Sequence, residues 1–247
     1  MGNLIGAARP RLRRFLASHP ALYLPLRRQR APGTVLTTDT DLVIEGFPRC
    51  ANTWTEALVR TAGPTLSLAH HSHAAAHVIA AVHAKVPALV LYRAPDDAVR
   101  SLLAMFGTSL SAHDAFSDFA AFYRTVLALP SRSVLLVPFQ QATETPNTVI
   151  AKLIRRFNLP LDPAPLTRAQ ILETLAAKER PLAEARRLAG KGPADPEICA
   201  PGNAERVAKD AKASIDKRLA SASTQKARII AQGVFAQLER AAADALQ

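Results

Sequence analysis

Short continuous apolar runs alternate along the chain with longer stretches whose apolar residues recur every three or four positions. Residues 41–46 (with Leu42, Val43 and Ile44), 66–70, 87–93 and 133–139 read as short buried strands. Residues 53–61, 74–85, 96–105, 113–129 and 146–157 read as helices. The last of these starts on Pro146, a favoured first-turn residue, and carries Val149, Ile150, Leu153, Ile154 and Phe157 at helical spacing. Strands alternating with helices predict an α/β fold, a mostly parallel sheet covered on both faces in a three-layer α/β/α arrangement. After residue 165 the strand-like runs stop. A loop with three prolines is expected over 190–202, and surface helices over 205–219 and 224–246.

Composition changes this picture at one end. The 247 residues carry a net charge of +11, and residues 1–30 hold seven arginines with no acidic residue. Residues 31–165 are neutral in sum, and the remainder contributes +4. The chain therefore reads as a basic N-terminal arm, 1–35, followed by one domain, 36–247. Such an arm can meet a membrane surface, and Leu12, Phe15, Leu16, Leu22, Tyr23 and Leu26 among the arginines favour peripheral membrane contact. Pro20 and Pro25 argue against one long helix there. With only 5% aromatic residues and a neutral central segment, no nucleic-acid partner is expected. No apolar run approaches 18 residues, no secretory signal is legible, and Cys50 and Cys199 make no disulfide framework. A cytoplasmic setting is expected, with membrane association through the arm.

The chemistry is expected at residues 46–54, Gly-Phe-Pro-Arg-Cys-Ala-Asn-Thr-Trp, where a strand turns into a helix. Such a turn gathers backbone N–H groups at the positive end of a helix and suits a phosphate or sulfate. It is not an ATPase loop, which would need Gly-Lys-Thr where Ala51-Asn52-Thr53 stands. It is not a cysteine-phosphatase loop, which would need arginine at Glu56.

The segment resembles the 5′-phosphosulfate loop of the sulfotransferases that use 3′-phosphoadenosine 5′-phosphosulfate (PAPS). Gly46, Phe47, Pro48, Arg49, Asn52, Thr53 and Trp54 match, while Cys50 and Ala51 replace the usual Ser-Gly. Ala51 can offer its N–H at negative φ, and a positive φ would be strained. Leu89-Val-Leu-Tyr-Arg93-Ala-Pro-Asp96, with Ser101 eight residues after the arginine, is similar to the family's 3′-phosphate motif. Ala94 stands in place of the family's asparagine. Residues 133–139, Pro146 and Phe157-Asn-Leu-Pro160 resemble the family's next strand and helix, and Phe139-Gln-Gln-Ala142 replaces its acidic motif. Lys191-Gly192 and Pro201 to Arg206 lie where the family often closes over the 3′-phosphate. The resemblance covers roughly residues 41–160.

It implies a P-loop-like nucleotide-binding fold and sulfuryl transfer from PAPS to a hydroxyl or amine of a glycan, lipid or small-molecule acceptor, without a metal. Arg49 and the N–H groups of Cys50, Ala51, Asn52, Thr53 and Trp54 would hold the phosphosulfate, and Arg93 with Ser101 the 3′-phosphate. Trp54 either stacks on adenine or belongs to the core. The general base would be a histidine of His70-His71-Ser72-His73, with His71, 22 residues before Arg93, first and His73 and His70 as alternatives. His73 and His77, four apart, would share a helix face as in a metal site, but no acidic or cysteine partner stands near them. A non-catalytic anion-binding member of the fold and a kinase-like phosphate-loop enzyme are the rival readings.

Overall fold

Each apolar run becomes a strand, and the strands form one sheet. The computed structural model describes residues 2–188 and 212–244. Strands β1 (Leu42–Gly46), β2 (Leu68–His70), β3 (Ala88–Tyr92) and β4 (Val134–Pro138) are all parallel, in the order β2-β1-β3-β4. Every residue of the first three is buried, as expected of a parallel sheet covered on both faces. Ile44 pairs with His70 on one side of β1 and with Leu89 on the other.

Two helices precede the sheet, α1 (Gly2–Ala17) and α2 (Pro20–Arg30). Within and beyond it come α3 (Asn52–Ala62), α4 (Ala75–His83), α5 (Pro95–Phe106), α6 (Ala112–Leu127), α7 (Phe139–Glu144), α8 (Pro146–Phe157), α9 (Arg168–Leu188), α10 (Lys212–Ala220) and α11 (Ala222–Asp244). Helices α8 and α9 pack on α3, and α4, α5 and α11 pack on α6. These two sets are compatible with three layers. Helix α8 spans the expected residues and buries Val149, Ile150 and Leu153. Asn158 closes it in the left-handed conformation that asparagine tolerates well. The expected loop over 190–202, the Lys191-Gly192 and Pro201 to Arg206 segments, and the start of the expected helix 205–219 lie outside the described residues.

The basic N-terminal segment packs on the domain as two helices. Proline at the first turn of α2 starts a second helix after α1, and both helices lie on the domain. Arg13 and Arg14 pair with Asp118 of α6, and Arg14 also approaches Asp114 at 3.5 Å. The Tyr23 hydroxyl donates to the Ser72 carbonyl at 2.8 Å, and Arg27 donates to the His71 carbonyl at 2.7 Å. Charge clustering along a sequence does not reveal that the opposing carboxylates sit on a helix a hundred residues away.

Candidate functional site

The strand order sets where a ligand can sit. β1 lies between β2 and β3, so consecutive connections leave it in opposite directions, and a crevice opens beyond the carboxyl ends of β1 and β3. The loop at 47–51 leaves β1 there and Arg93 follows β3 there. Gly46 ends β1 because nothing larger fits. A Cβ would lie 2.6 Å from the Leu91 carbonyl oxygen and 2.9 Å from Asn52 Oδ1.

The loop enters α3 through a tight turn. Ala51 is left-handed (φ 70°, ψ 25°) and the helical Asn52 follows, so their N–H groups face a common concavity. The positive φ that would strain Ala51 is therefore present, at a cost of about 1–2 kcal/mol per such residue. Arg49 has φ 71° as well, and His71 and His73 have φ 58° and 53°. Four of the six non-glycine residues with positive φ among the described residues thus sit in two adjoining loops. Strain of this kind concentrates where a surrounding structure holds a binding geometry.

The cationic groups expected to meet anions converge. Arg49 Nε donates to Ser101 Oγ at 2.9 Å, and Arg93 Nη1 approaches the Arg49 carbonyl at 3.4 Å. Arg93 also lies over the Phe139 ring, 4.1 Å from its centroid. Asp96 does not occupy Arg93, because it makes a two-pronged ion pair with Arg228 of α11. Arg49, Arg93 and Ser101 therefore form one patch beside the α3 N-terminus. Guanidinium groups, a hydroxyl and first-turn N–H groups are donors that can hold phosphate or sulfate.

Two loop side chains are structural. Trp54 is 1% exposed and donates its indole N–H to the Ala142 carbonyl at 2.9 Å, so it is core and does not stack on adenine. Cys50 is fully buried, and burial pushes its thiol up to about 12 despite Tyr123 and Arg93 nearby. Its thiol is therefore closed to a ligand. Tyr123 secures the turn by accepting from Phe47 N–H at 3.2 Å and donating to the Leu91 carbonyl at 2.6 Å.

The histidines separate into two networks, each anchored on a buried carboxylate. Glu45 of β1 accepts from the N–H groups of Ser72 and His73 at 2.8 and 2.9 Å, and from His77 Nδ1 at 2.8 Å. His77 Nε2 in turn accepts from Leu36 N–H at 3.0 Å. His77 is thus fully engaged, while His73 lies before α4 starts, so the two do not form a metal pair. Burial alone would raise Glu45; the hydrogen bond from His77, with His73 and the Ser72 N–H, outweighs it and holds the carboxyl at about 2.

The second network runs Glu56, His70, His71, Thr53. His70 Nε2 lies 3.0 Å from Glu56 Oε1, His70 Nδ1 lies 2.7 Å from His71 Nδ1, and His71 Nε2 lies 2.9 Å from Thr53 Oγ1. A carboxylate only accepts, so one proton order satisfies these three contacts with both rings neutral. His70 donates to Glu56, His71 donates to His70, and Thr53 donates to His71. Glu56, His70 and His71 could together hold a metal ion. Lys178 and Arg60 already contact the same carboxylate and disfavour a further cation. Glu56 is held below its usual range, burial being overcome by His70 and Lys178.

His71, first among the expected bases, is therefore committed at both ring nitrogens. Burial, then the adjacent His70 and His73, lower it to about 3. Its unfolded pKa lies near 6.5, so the unfolded chain takes up a proton that the folded one refuses. Stability is expected to decline as pH falls from 6.5 towards 3, and Tm measured across that window checks it. His71→Gln should flatten the decline near pH 6, and an unchanged slope would remove His71 as its cause.

His73 is placed differently. Its Nδ1 donates to the Gly46 carbonyl at 2.9 Å, which leaves Nε2 with its lone pair. The half-buried ring lines a cavity of about 750 Å³ together with Phe47, Pro48, Leu102 and Phe122. Phe15 of α1 and Tyr23 of α2 wall its other side. The carboxylates Glu45 and Glu56 were not among the expected site residues. The one signal for Glu45 is a carboxylate inside an otherwise apolar strand, which must find donors when buried. Comparison of the sequence with protein-family models and with curated proteins finds no match.

Proposed function

We propose that the protein is a sulfotransferase, of a P-loop-like nucleotide-binding fold, that moves a sulfuryl group from PAPS to a hydroxyl of an acceptor in the cavity. The observation that carries this reading is the convergence of Arg49, Arg93 and Ser101 at the carboxyl ends of β1 and β3, with His73 lining the adjoining cavity. Arg49 and the N–H groups of residues 50–54 would hold the phosphosulfate, and Arg93 with Ser101 the 3′-phosphate. The nucleotide, when bound, supplies the sulfuryl group and carries the leaving 5′-phosphate.

His73 Nε2 takes the proton of the acceptor hydroxyl as its oxygen bonds to sulfur. Transfer would break the bond from sulfur to the 5′-phosphate oxygen and give a sulfate ester and adenosine 3′,5′-bisphosphate. Arg49 offsets the charge that develops on the departing phosphate. Fixed guanidinium groups do here what a metal does for ATP. A kinase acting on Mg²⁺–ATP would need a lysine at Asn52 and a carboxylate open to the metal, whereas Glu45 and Glu56 are both engaged by histidines.

Thermal unfolding with added nucleotide tests the reading. Adenosine 3′,5′-bisphosphate at about 100 times its Kd should raise Tm by about 5–10 °C, with little response to Mg²⁺–ATP. No shift at millimolar bisphosphate, or a larger shift with Mg²⁺–ATP, would end it.

A further inference from the structure

We propose that the protein docks on an anionic membrane through the exposed faces of α1 and α2, and that its acceptor is an amphiphile drawn from that membrane. The identity of the acceptor rests on the sulfotransferase reading; the docking does not.

Exposed apolar side chains gather on one region of the surface. Six of the eight large exposed hydrophobic residues among the described ones, Leu12, Phe15, Leu22, Leu26, Met105 and Phe106, lie on α1, α2 and the end of α5. Leu12 and Phe15 are three residues apart and Leu22 and Leu26 four apart, so each pair shares a helical face. Phe15 and Phe106 are 51% and 52% exposed, yet both also line the cavity. They therefore mark its mouth, and the apolar surface is continuous with the cavity wall.

The two helices themselves carry charge of one sign, although Arg13 and Arg14 are paired with Asp118 of α6. Arg11, Arg13, Arg28 and Arg30 are exposed on the same two helices, and residues 1–30 contain no carboxylate. Apolar side chains flanked by arginines, on helices too short and too charged to cross a bilayer, are the pattern of a segment that lies in the interface of an anionic membrane. Each basic residue near such a surface strengthens binding by roughly fivefold. The cavity runs from this apolar mouth to the imidazole of His73. An acceptor with a hydroxyl at one end and an apolar body at the other matches both ends.

The test uses the full chain and sucrose-loaded vesicles in about 0.1 M salt. Vesicles of phosphatidylcholine with about 30% phosphatidylglycerol should bind it about tenfold or more tightly than phosphatidylcholine alone. The double variant Leu22→Ser/Leu26→Ser, changed at exposed positions away from the cavity, should lose about tenfold in that binding at unchanged Tm. Equal binding to both vesicles, no binding, or an unaffected variant would overturn the docking. With labelled PAPS, label should pass to monoglucosyl diacylglycerol incorporated into the anionic vesicles and not to free glucose; equal labelling would overturn the acceptor class. The bisphosphate response measured on the same samples separates the two claims. Vesicle binding without a nucleotide shift contradicts the reaction and leaves the docking. A nucleotide shift without vesicle binding contradicts the docking and leaves the reaction.

Discussion

Replacing His73 by asparagine is expected to lower sulfuryl transfer by about 10²–10⁴-fold, the range that a positioned general base contributes. Asparagine is chosen because His73 sits at φ 53°, where asparagine is among the most tolerant residues. Its side-chain N–H₂ can also keep the bond to the Gly46 carbonyl that His73 Nδ1 makes. The variant should therefore fold and bind adenosine 3′,5′-bisphosphate as the parent does, and lose kcat with little change in nucleotide affinity. Unchanged turnover would move the role to His71, and His71→Gln would then carry the loss.

Replacing Glu45 by alanine should remove about 3–5 kcal/mol of stability, the cost of breaking a buried charged network from one side. The effect is large because one carboxylate satisfies three donors. Without it, Ser72 N–H, His73 N–H and His77 Nδ1–H lose their acceptor in a fully buried setting. His71 and His73 are held in left-handed conformations beside it, so their loop is expected to loosen first. Urea unfolding measures the change, and a difference within about 1 kcal/mol of the parent would contradict the account. Glu45→Gln should fall between, since an amide offers one acceptor oxygen and adds N–H donors without an acceptor.

The parallel sheet was legible because its strands are continuous apolar runs and the helices between them keep the 3.6-residue period. The resemblance paired Arg93 with Ser101 and gave Arg49 to the 5′-phosphosulfate; in the structure Ser101 bonds to Arg49, whose carbonyl Arg93 approaches. Three features were not legible, each for a long-range reason. Whether Trp54 faces a ligand or the core depends on the Ala142 carbonyl, 88 residues away. Which histidine is open depends on His70 and Thr53 engaging both nitrogens of the His71 ring, while the Gly46 carbonyl engages one nitrogen of the His73 ring. The packing of the N-terminal arginines on the domain was hidden because their partners, Asp114 and Asp118, belong to a helix far along the chain. The short helix α7 also escaped notice, since six residues hold too little pattern to show a period.

The central claim is that the Arg49, Arg93 and Ser101 patch holds a nucleotide by phosphates at both its 5′ and 3′ positions. Isothermal titration with PAPS and with adenosine 5′-phosphosulfate, which lacks only the 3′-phosphate, tests it most directly. PAPS is expected to bind about a hundredfold more tightly, as a charge-assisted phosphate contact of about 3 kcal/mol would give, and Arg93→Ala should erase most of that difference. Equal affinity for the two nucleotides, or no binding of either, would contradict it.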